Sequence, residues 1–172
     1  AVLTPPGGYA VMAADAIEST QGELHLAKLS EQTREDIRRD SLEFAAVSNP
    51  VDLTASVTDD MFAASLRHVL ADPAVDLALV MCFCAPPGLS EDLPDRLAAE
   101  AGASDKPVVF VAMHGENTVA LCRRLTEAGS AAYPSLRQAV GACRLLARRG
   151  RWLKRLKVSL PHQAACVSEG SD

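Results

Sequence analysis

The chain has 172 residues, of which 48% are hydrophobic and 23% charged, and its formal net charge at pH 7 is −5. This length and composition fit one folded domain with a substantial core and exclude a disordered chain. The negative charge argues against nucleic acid as a partner, because phosphate backbones bind basic surfaces. No apolar run is long enough to predict a membrane span.

The first turn of the chain carries its most informative pattern. Ala1–Leu3 predicts a strand, and the Ala-rich stretch from Tyr9 to about Thr20 predicts a helix. The turn between them, Thr4–Gly8, ends in two glycines, which let a ligand approach the backbone closely. The first amides of the helix lack internal partners and lie at the positive end of the helix dipole. The turn therefore predicts an anion site, with phosphate as the favoured ligand, although such turns also occur for packing alone.

The next third of the chain predicts two helices and a proline turn. Glu23–Leu26 is a candidate second strand, and Ser30 opens a charged helix that runs to about Leu42. Thr58 caps the following helix, which ends near Ala71. Before it, Asn49 and Asp52 flank a proline. They either line a crevice or hold the turn, since Asn and Asp side chains commonly bond to nearby backbone.

The second half alternates apolar strands with helices. Its predicted elements are a central strand Val75–Phe83, a helix near Glu91–Ala101, a strand Pro107–Met113, a helix Thr118–Ala128 stopped by Gly129, a strand Ala131–Tyr133, and a helix from Leu136 to about Arg148 opened by Ser135.

This alternation predicts an α/β fold with three layers and a parallel sheet covered by helices on both faces. Five strands suit the flavodoxin-like, doubly wound order 2-1-3-4-5, in which ligands bind where the order switches between strands 1 and 3. The loops after those strands are Thr4–Gly8 and Cys84–Gly88. The predicted topology thus brings both Gly/Pro-rich turns to one crevice, and its candidate lining residues are Asn49, Asp52, Gly88 and His114.

The sequence offers little side-chain chemistry. His114 follows the fourth strand and is either a solvated loop residue or a catalytic one, whereas His25, His68 and His162 show no pattern of partners and are predicted to lie on the surface. No metal-spaced set and no Ser/His/Asp constellation is present, so no catalytic residue and no metal ligand is assigned.

The five cysteines are odd in number and lack metal-ligand spacing, which predicts reduced thiols in a cytoplasmic protein. Cys82 and Cys84 share one face of a strand and are predicted to be buried rather than a redox pair. The basic run from Arg144 to Lys157 is interpreted as a solvated helix end that enters a linker. We therefore expect a domain over 1–152 and a linker or tail over 153–172, both from a larger multidomain protein.

Several motifs, in the right order, resemble the NDP-forming acyl-CoA synthetases, the group that includes the ADP-forming acetyl-CoA synthetases. They are Thr4–Tyr9 leading to Ala13–Ala16, the segment Ser48–Thr54, the run Leu70–Asp76, the turn His114–Asn117 and the ending Ala139–Trp152. The matching piece is the second flavodoxin-like domain of that family, between the histidine-bearing domain and the ATP-grasp part. It is also similar to the carboxyl-terminal domain of the succinyl-CoA synthetase beta subunit.

The resemblance implies that the full-length protein makes acyl-CoA from a carboxylic acid and CoA while ATP is cleaved to ADP and phosphate, by way of a phosphorylated histidine. CoA, ATP/ADP and Mg are implied for the full-length protein, and no cofactor bound tightly by this domain. The implied partners are the histidine-bearing CoA-ligase domain and the ATP-grasp domain, and association of identical copies is compatible with it. This chain would hold the phosphohistidine with the backbone at Gly7, Gly8, Tyr9 and Ala10.

The chain also departs from the family pattern. Pro86 and Pro87 have no N–H to offer a phosphate, and Pro6 stands where the family often has Ser. These departures leave open a non-catalytic, synthetase-like regulatory module fused to an acetyltransferase. A free-standing flavodoxin fits less well, because aromatic residues make up only 4% of the chain and do not cluster in the crevice loops.

Overall fold

The computed structural model describes residues 1–82, 87–113 and 117–159. A five-stranded parallel sheet in the order β2-β1-β3-β4-β5 confirms the predicted flavodoxin-like topology. The elements in chain order are β1 Val2–Thr4, α1 Gly7–Glu18, α2 Glu31–Asp40, β2 Val51–Asp52, α3 Asp59–Ala71, β3 Ala78–Cys82, α4 Leu93–Gly102, β4 Val108–Ala112, α5 Thr118–Glu127, β5 Ala131–Tyr133 and α6 Leu136–Ser159.

Both faces of the sheet are covered, which explains why β3 is apolar at all five positions and fully buried. On one face, α1 and α6 contribute the buried residues Ala13, Ile17, Ala139, Val140 and Cys143. On the other face, α2 to α5 contribute a larger set that includes Ile37, Phe62, Leu66, Leu97 and Leu125. Each large apolar side chain buried in this way stabilises the fold by about 1.5–3 kcal/mol.

The prediction of a second strand at Glu23–Leu26 is wrong, because other residues occupy the free edge of β1. Val51 and Asp52 pair with Leu3 and Thr4 in parallel register. Below them, the Oδ1 atom of Asn49 accepts the N–H of Val2 at 2.8 Å. The segment that begins at Glu23 therefore has no strand edge to join, and the Glu23 carboxylate instead binds two arginines of α6.

The residues predicted to open and close helices do so. The hydroxyl oxygens of Ser30, Thr58 and Ser135 each accept a backbone N–H three residues on, at 3.1, 3.4 and 3.4 Å. Gly129 has φ +84, a left-handed conformation that suits glycine, and the N–H of Ser130 donates back to the carbonyl of Leu125 at 2.9 Å. This pair of features ends α5 at the predicted place.

The last helix is longer than predicted: it continues to Ser159 instead of ending near Arg148. Arg, Lys and Leu are good helix formers, and the isolated Gly150 is insufficient to stop them. No helix in the described part of the chain combines the length and the apolar character that a membrane crossing requires.

Candidate functional site

The predicted glycine turn lies at the carboxyl end of β1, and α1 begins in it at Gly7. The preceding Pro6 provides no side-chain cap, but its carbonyl accepts the N–H of Tyr9 at 3.1 Å. Among the described residues, no acceptor contacts the N–H of Gly7 or Gly8. Gly8 is exposed and Gly7 half-buried, so two donors are presented at the positive end of the helix dipole.

The two glycines have different surroundings. A Cβ atom on Gly7 would lie 2.5 Å from Oδ2 of Asp52, whereas a Cβ atom on Gly8 would meet no described residue within 4 Å. Asp52 is held in place because its Oδ1 accepts the N–H of Thr54 at 2.8 Å. Its carboxylate therefore flanks the start of α1 on the Gly7 side. The charge of Asp52 disfavours a bound anion on that side of the helix start and favours one on the side of Gly8.

The structure thus brings together Gly7, Gly8 and Asp52, which the sequence nominated separately. Tyr9 and Ala10 follow on the same first turn and are half-buried. Burial raises the pKa of the Tyr9 phenol, so its side chain is neutral at ordinary pH. The N–H of Tyr9 already donates to the carbonyl of Pro6, so it is the least available of the four predicted donors.

Asn49 and Gly88 have structural partners that the sequence did not reveal. Besides its bond to Val2, Asn49 donates from Nδ2 to the carbonyl of Ala27 at 2.9 Å, which favours the turn-holding interpretation. A Cβ atom on Gly88 would lie 2.5 Å from the carbonyl oxygen of Val57, so Gly88 packs directly on the backbone that leads into α3. His114 and Cys84 lie outside the described residues.

A carboxylate that the sequence did not nominate anchors the loop after β3. Asp59 accepts the N–H of Ser90 at 3.0 Å and the Ser90 hydroxyl at 2.5 Å. The acidic residues in the first turn of α3 were visible in the sequence, but the partner of Asp59 in the loop after β3 was not. His68 was expected to be a surface residue without a partner. This prediction is wrong, because the side chain is partly buried and its Nε2 lies 2.7 Å from Oδ2 of Asp40.

A cavity of about 410 Å³ lies at the opposite edge of the sheet. Leu77 and Pro107, just ahead of β3 and β4, line it together with residues of α6 such as Leu146. It contains none of the predicted site residues. Ligands of doubly wound sheets bind beyond the carboxyl ends of the strands, so the glycine turn remains the candidate site. Within the described residues, no group of three or more His, Cys, Asp or Glu side chains could hold a metal ion.

Comparisons with known proteins agree with this architecture. Residues 1–157 match the model of the Ligase-CoA domain family. The alpha subunit of acetate–CoA ligase (ADP-forming) II from Pyrococcus furiosus is 38% identical over 82 residues, which are 48% of this chain and 18% of that protein.

Two solved structures share the fold. PH0766 from Pyrococcus horikoshii OT3 superposes with a TM-score of 0.80 at 27% identity, covering 88% of this chain and 35% of that one. The dinucleotide-forming acetyl-coenzyme A synthetase 1 of Ca. Korarchaeum cryptofilum superposes with a TM-score of 0.76 at 25% identity. The match covers 93% of this chain and 35% of that one. It has also been solved with phosphate and ADP. The chain spans about a third of these structures. With nearly its whole length matched by one family, this chain belongs to the Ligase-CoA domain family.

Proposed function

We propose that this chain is a domain of an ADP-forming acyl-CoA synthetase, and that the start of α1 holds the phosphoryl group of a phosphohistidine carried by a neighbouring domain. The observation behind the proposal is that the N–H groups of Gly7 and Gly8 are presented at a helix start with no acceptor among the described residues. The full-length reaction would be the conversion of a carboxylic acid, CoA and ATP to acyl-CoA, ADP and phosphate.

The role of this chain is electrostatic. A phosphoryl group in transfer spreads negative charge over its oxygens, and fixed N–H donors stabilise that charge without moving a proton. Gly8 leaves space above the helix start, and the charge of Asp52 favours an anion on that side. The phosphorylated histidine and the ATP-grasp machinery would belong to partner domains. No catalytic side chain is assigned to this chain.

Phosphate binding can be measured on the chain itself. In an amide-detected NMR titration with inorganic phosphate, the signals of Gly7 and Gly8 are expected to shift first. Gly8→Asp places a carboxylate in the open space and is expected to abolish the shifts, whereas Gly8→Asn, of the same size but uncharged, should retain them. Shifts confined to other regions would contradict the proposed site.

The same variants test the function in the full-length protein. Gly8→Asp is expected to abolish ATP-dependent thioester formation while circular dichroism stays unchanged, since a negative charge in the first turn favours the helix. Gly8→Asn should retain most of the activity. Unchanged turnover in Gly8→Asp would contradict a role of α1 in phosphoryl transfer.

One observation favours a second candidate, a regulatory module fused to an acetyltransferase. Pro6 and Pro87 border the turns after β1 and β3, and neither has an N–H to donate to a phosphate. The domain that adjoins this chain separates the two proposals: an acetyltransferase supports the regulator, and an ATP-grasp domain supports the synthetase.

A further inference from the structure

The two helices on one face of the sheet carry matching surface stripes. On the side of α1 that faces away from the sheet lie Val11, Asp15 and Glu18, which we call the α1 stripe. On the corresponding side of α6 lie Leu145, Arg149 and Trp152, the α6 stripe. Both have the same spacing of four and then three residues, and all six side chains are exposed.

The stripes carry opposite charges. Helix α6 contains eight basic and no acidic residues, while the rest of the chain contains nine basic and 22 acidic ones. Within the described part of the chain, neither Glu18 nor Arg149 has an ion-pair partner, whereas the nearby Arg144 and Arg148 both pair with Glu23. An acidic stripe and a basic stripe therefore stand side by side on one surface.

The stripes also expose large apolar side chains. Val11 is 62% exposed, Leu145 66% and Trp152 59%. Large apolar side chains exposed on two adjacent helices and bordered by charge are typical of a surface that takes part in protein association. A polyanion is a less suitable ligand for this surface. The carboxylate of Glu23 already pairs with Arg144 and Arg148, so fewer positive charges of α6 are free to bind it.

We propose that the occupant of this surface is a second copy of the chain, with the two α1–α6 layers facing each other. A two-fold axis parallel to the helices brings the α1 stripe of each copy onto the α6 stripe of the other. Such an interface is isologous, so each favourable contact occurs twice.

The lengths of the helices put the opposite charges in register. Both helices follow strands of a parallel sheet, so they run in the same direction from the same edge. At about 1.5 Å per residue, Glu18 lies about 17 Å and Arg149 about 20 Å from the first residue of its helix. Glu18 of each copy then faces Arg149 of the other.

The area of the α1–α6 layer determines how tightly two copies are expected to bind. Helix α1 has 12 residues. It is therefore about 18 Å long, and with α6 beside it covers roughly 400–500 Å² per copy. This area is little more than half of the roughly 800 Å² per partner in a standard interface, which predicts a weak dimer with a Kd of roughly tens of micromolar.

A charge exchange tests the proposal. Sedimentation velocity from about 1 to about 300 µM should show the mass double with concentration. Glu18→Arg or Arg149→Glu should each weaken the dimer about 100-fold, since like charges then meet twice. The double variant should restore it. The exchange of Arg123 and Glu127 on α5, an exposed pair on the other face, should have no effect.

The emission of the single tryptophan, Trp152, should shift to the blue as the dimer forms.

Circular dichroism of each variant establishes that it is folded. A chain that stays monomeric throughout, or a dimer insensitive to the single reversals, would overturn the proposal. So would failure of the double variant to recover. Binding of the monomer to anionic vesicles that is lost on replacement of Leu145 and Trp152 by alanine, without self-association, would assign the α6 stripe to a membrane surface instead.

Discussion

The start of α1 and the start of α3 lie at the same edge of the sheet, yet they are built in opposite ways. At α3, a side chain caps the helix, and Asp59 ties it to Ser90 across the loop. At α1, no side chain caps the helix, and exposed backbone donors face outward. The α3 start has a side-chain cap and is saturated with negative charge of its own from Asp59 and Asp60, whereas the α1 start has no acidic residue in its first turn.

This difference shows which kind of residue to examine at such an edge. The polar side chains that attracted attention in the sequence, such as Asn49, are engaged in holding the backbone together. The groups left to bind belong to the main chain at Gly7 and Gly8. The function proposed for this site therefore depends on backbone donors rather than on side chains, and the contacts of the α3 start hold the neighbouring loop in place.

The largest effect is expected on the saturated side, from Gly88→Ala. The new Cβ atom would lie 2.5 Å from the carbonyl oxygen of Val57, and the nearby Asp59–Ser90 bonds oppose a shift of either backbone. We expect a loss of about 3 kcal/mol in the free energy of unfolding, measured with urea. The matched control Gly141→Ala on α6, where nothing lies within 4 Å, should be neutral or stabilising. Equal losses of unfolding free energy in Gly88→Ala and Gly141→Ala would contradict the tight contact between Gly88 and Val57.

Asp72 should give the second-largest effect. It is 1% exposed, and its carboxylate accepts the N–H groups of Ser30 and Ala74. Burial raises the pKa of Asp72, but these bonds outweigh it and lower the pKa below 3.8. Asp72→Ala leaves the N–H groups of Ser30 and Ala74 without their acceptor and should cost about 2 kcal/mol.

The sign of the pH dependence follows from that lowered pKa. The stabilisation by the Asp72 carboxylate is present above pH 3.8 and is lost as the pH falls through the lower folded value. The difference in unfolding free energy between the natural chain and Asp72→Ala should therefore shrink in acid. A difference that is independent of pH would assign the effect to packing.

A smaller effect should separate the two glycines of the open helix start. Gly7→Ala meets Oδ2 of Asp52 and should destabilise the chain by about 1 kcal/mol. Gly8→Ala has free space and should stabilise it by about 0.5 kcal/mol, because alanine favours a helix over glycine. Thermal unfolding of the two variants measures both, and destabilisation by Gly8→Ala would show that the space above Gly8 is already filled.

The smallest effect is a titration shift on the α1–α6 face. Hydrogen bonds from Arg144 and Arg148 lower the pKa of Glu23 from 4.5 to about 2. Any stability that this pair of bonds confers is present above pH 4.5 and is lost as the pH falls towards 2. A carboxyl-detected NMR titration should place the midpoint near 2, and Arg144→Gln with Arg148→Gln should return it towards 4.5. An unshifted midpoint in the natural chain would contradict the ion pairs.

Local patterns in the sequence predicted most of the fold. Long apolar strands, caps such as Thr58 and the stop at Gly129 are each encoded within a few residues. The strand Val51–Asp52 was missed because two residues show no periodicity, and the side chain of Asn49 takes over part of its pairing. The alternation in Glu23–Leu26 imitated a strand, since nothing local reveals that the edge of β1 is already occupied.

The site was predictable only as far as it is local. The turn with Gly7 and Gly8 is read directly from the sequence. The approach of Asp52 to Gly7 depends on the register between β1 and β2, and the contact of Gly88 with Val57 depends on two loops that are distant along the chain. Residues that meet across strands leave no mark on a single sequence.

The two edges of the sheet are poorly suited to the addition of a further strand. One edge strand is the two-residue β2, in which Asp52 forms a bridge with Ala46 on the outer side. The other edge strand is the three-residue β5. Short or covered edge strands pair poorly with a strand of another chain, so aggregation through added β-strands is disfavoured. Copies of this protein that meet in a crowded cell would therefore touch through helices, where contacts are discrete and reversible.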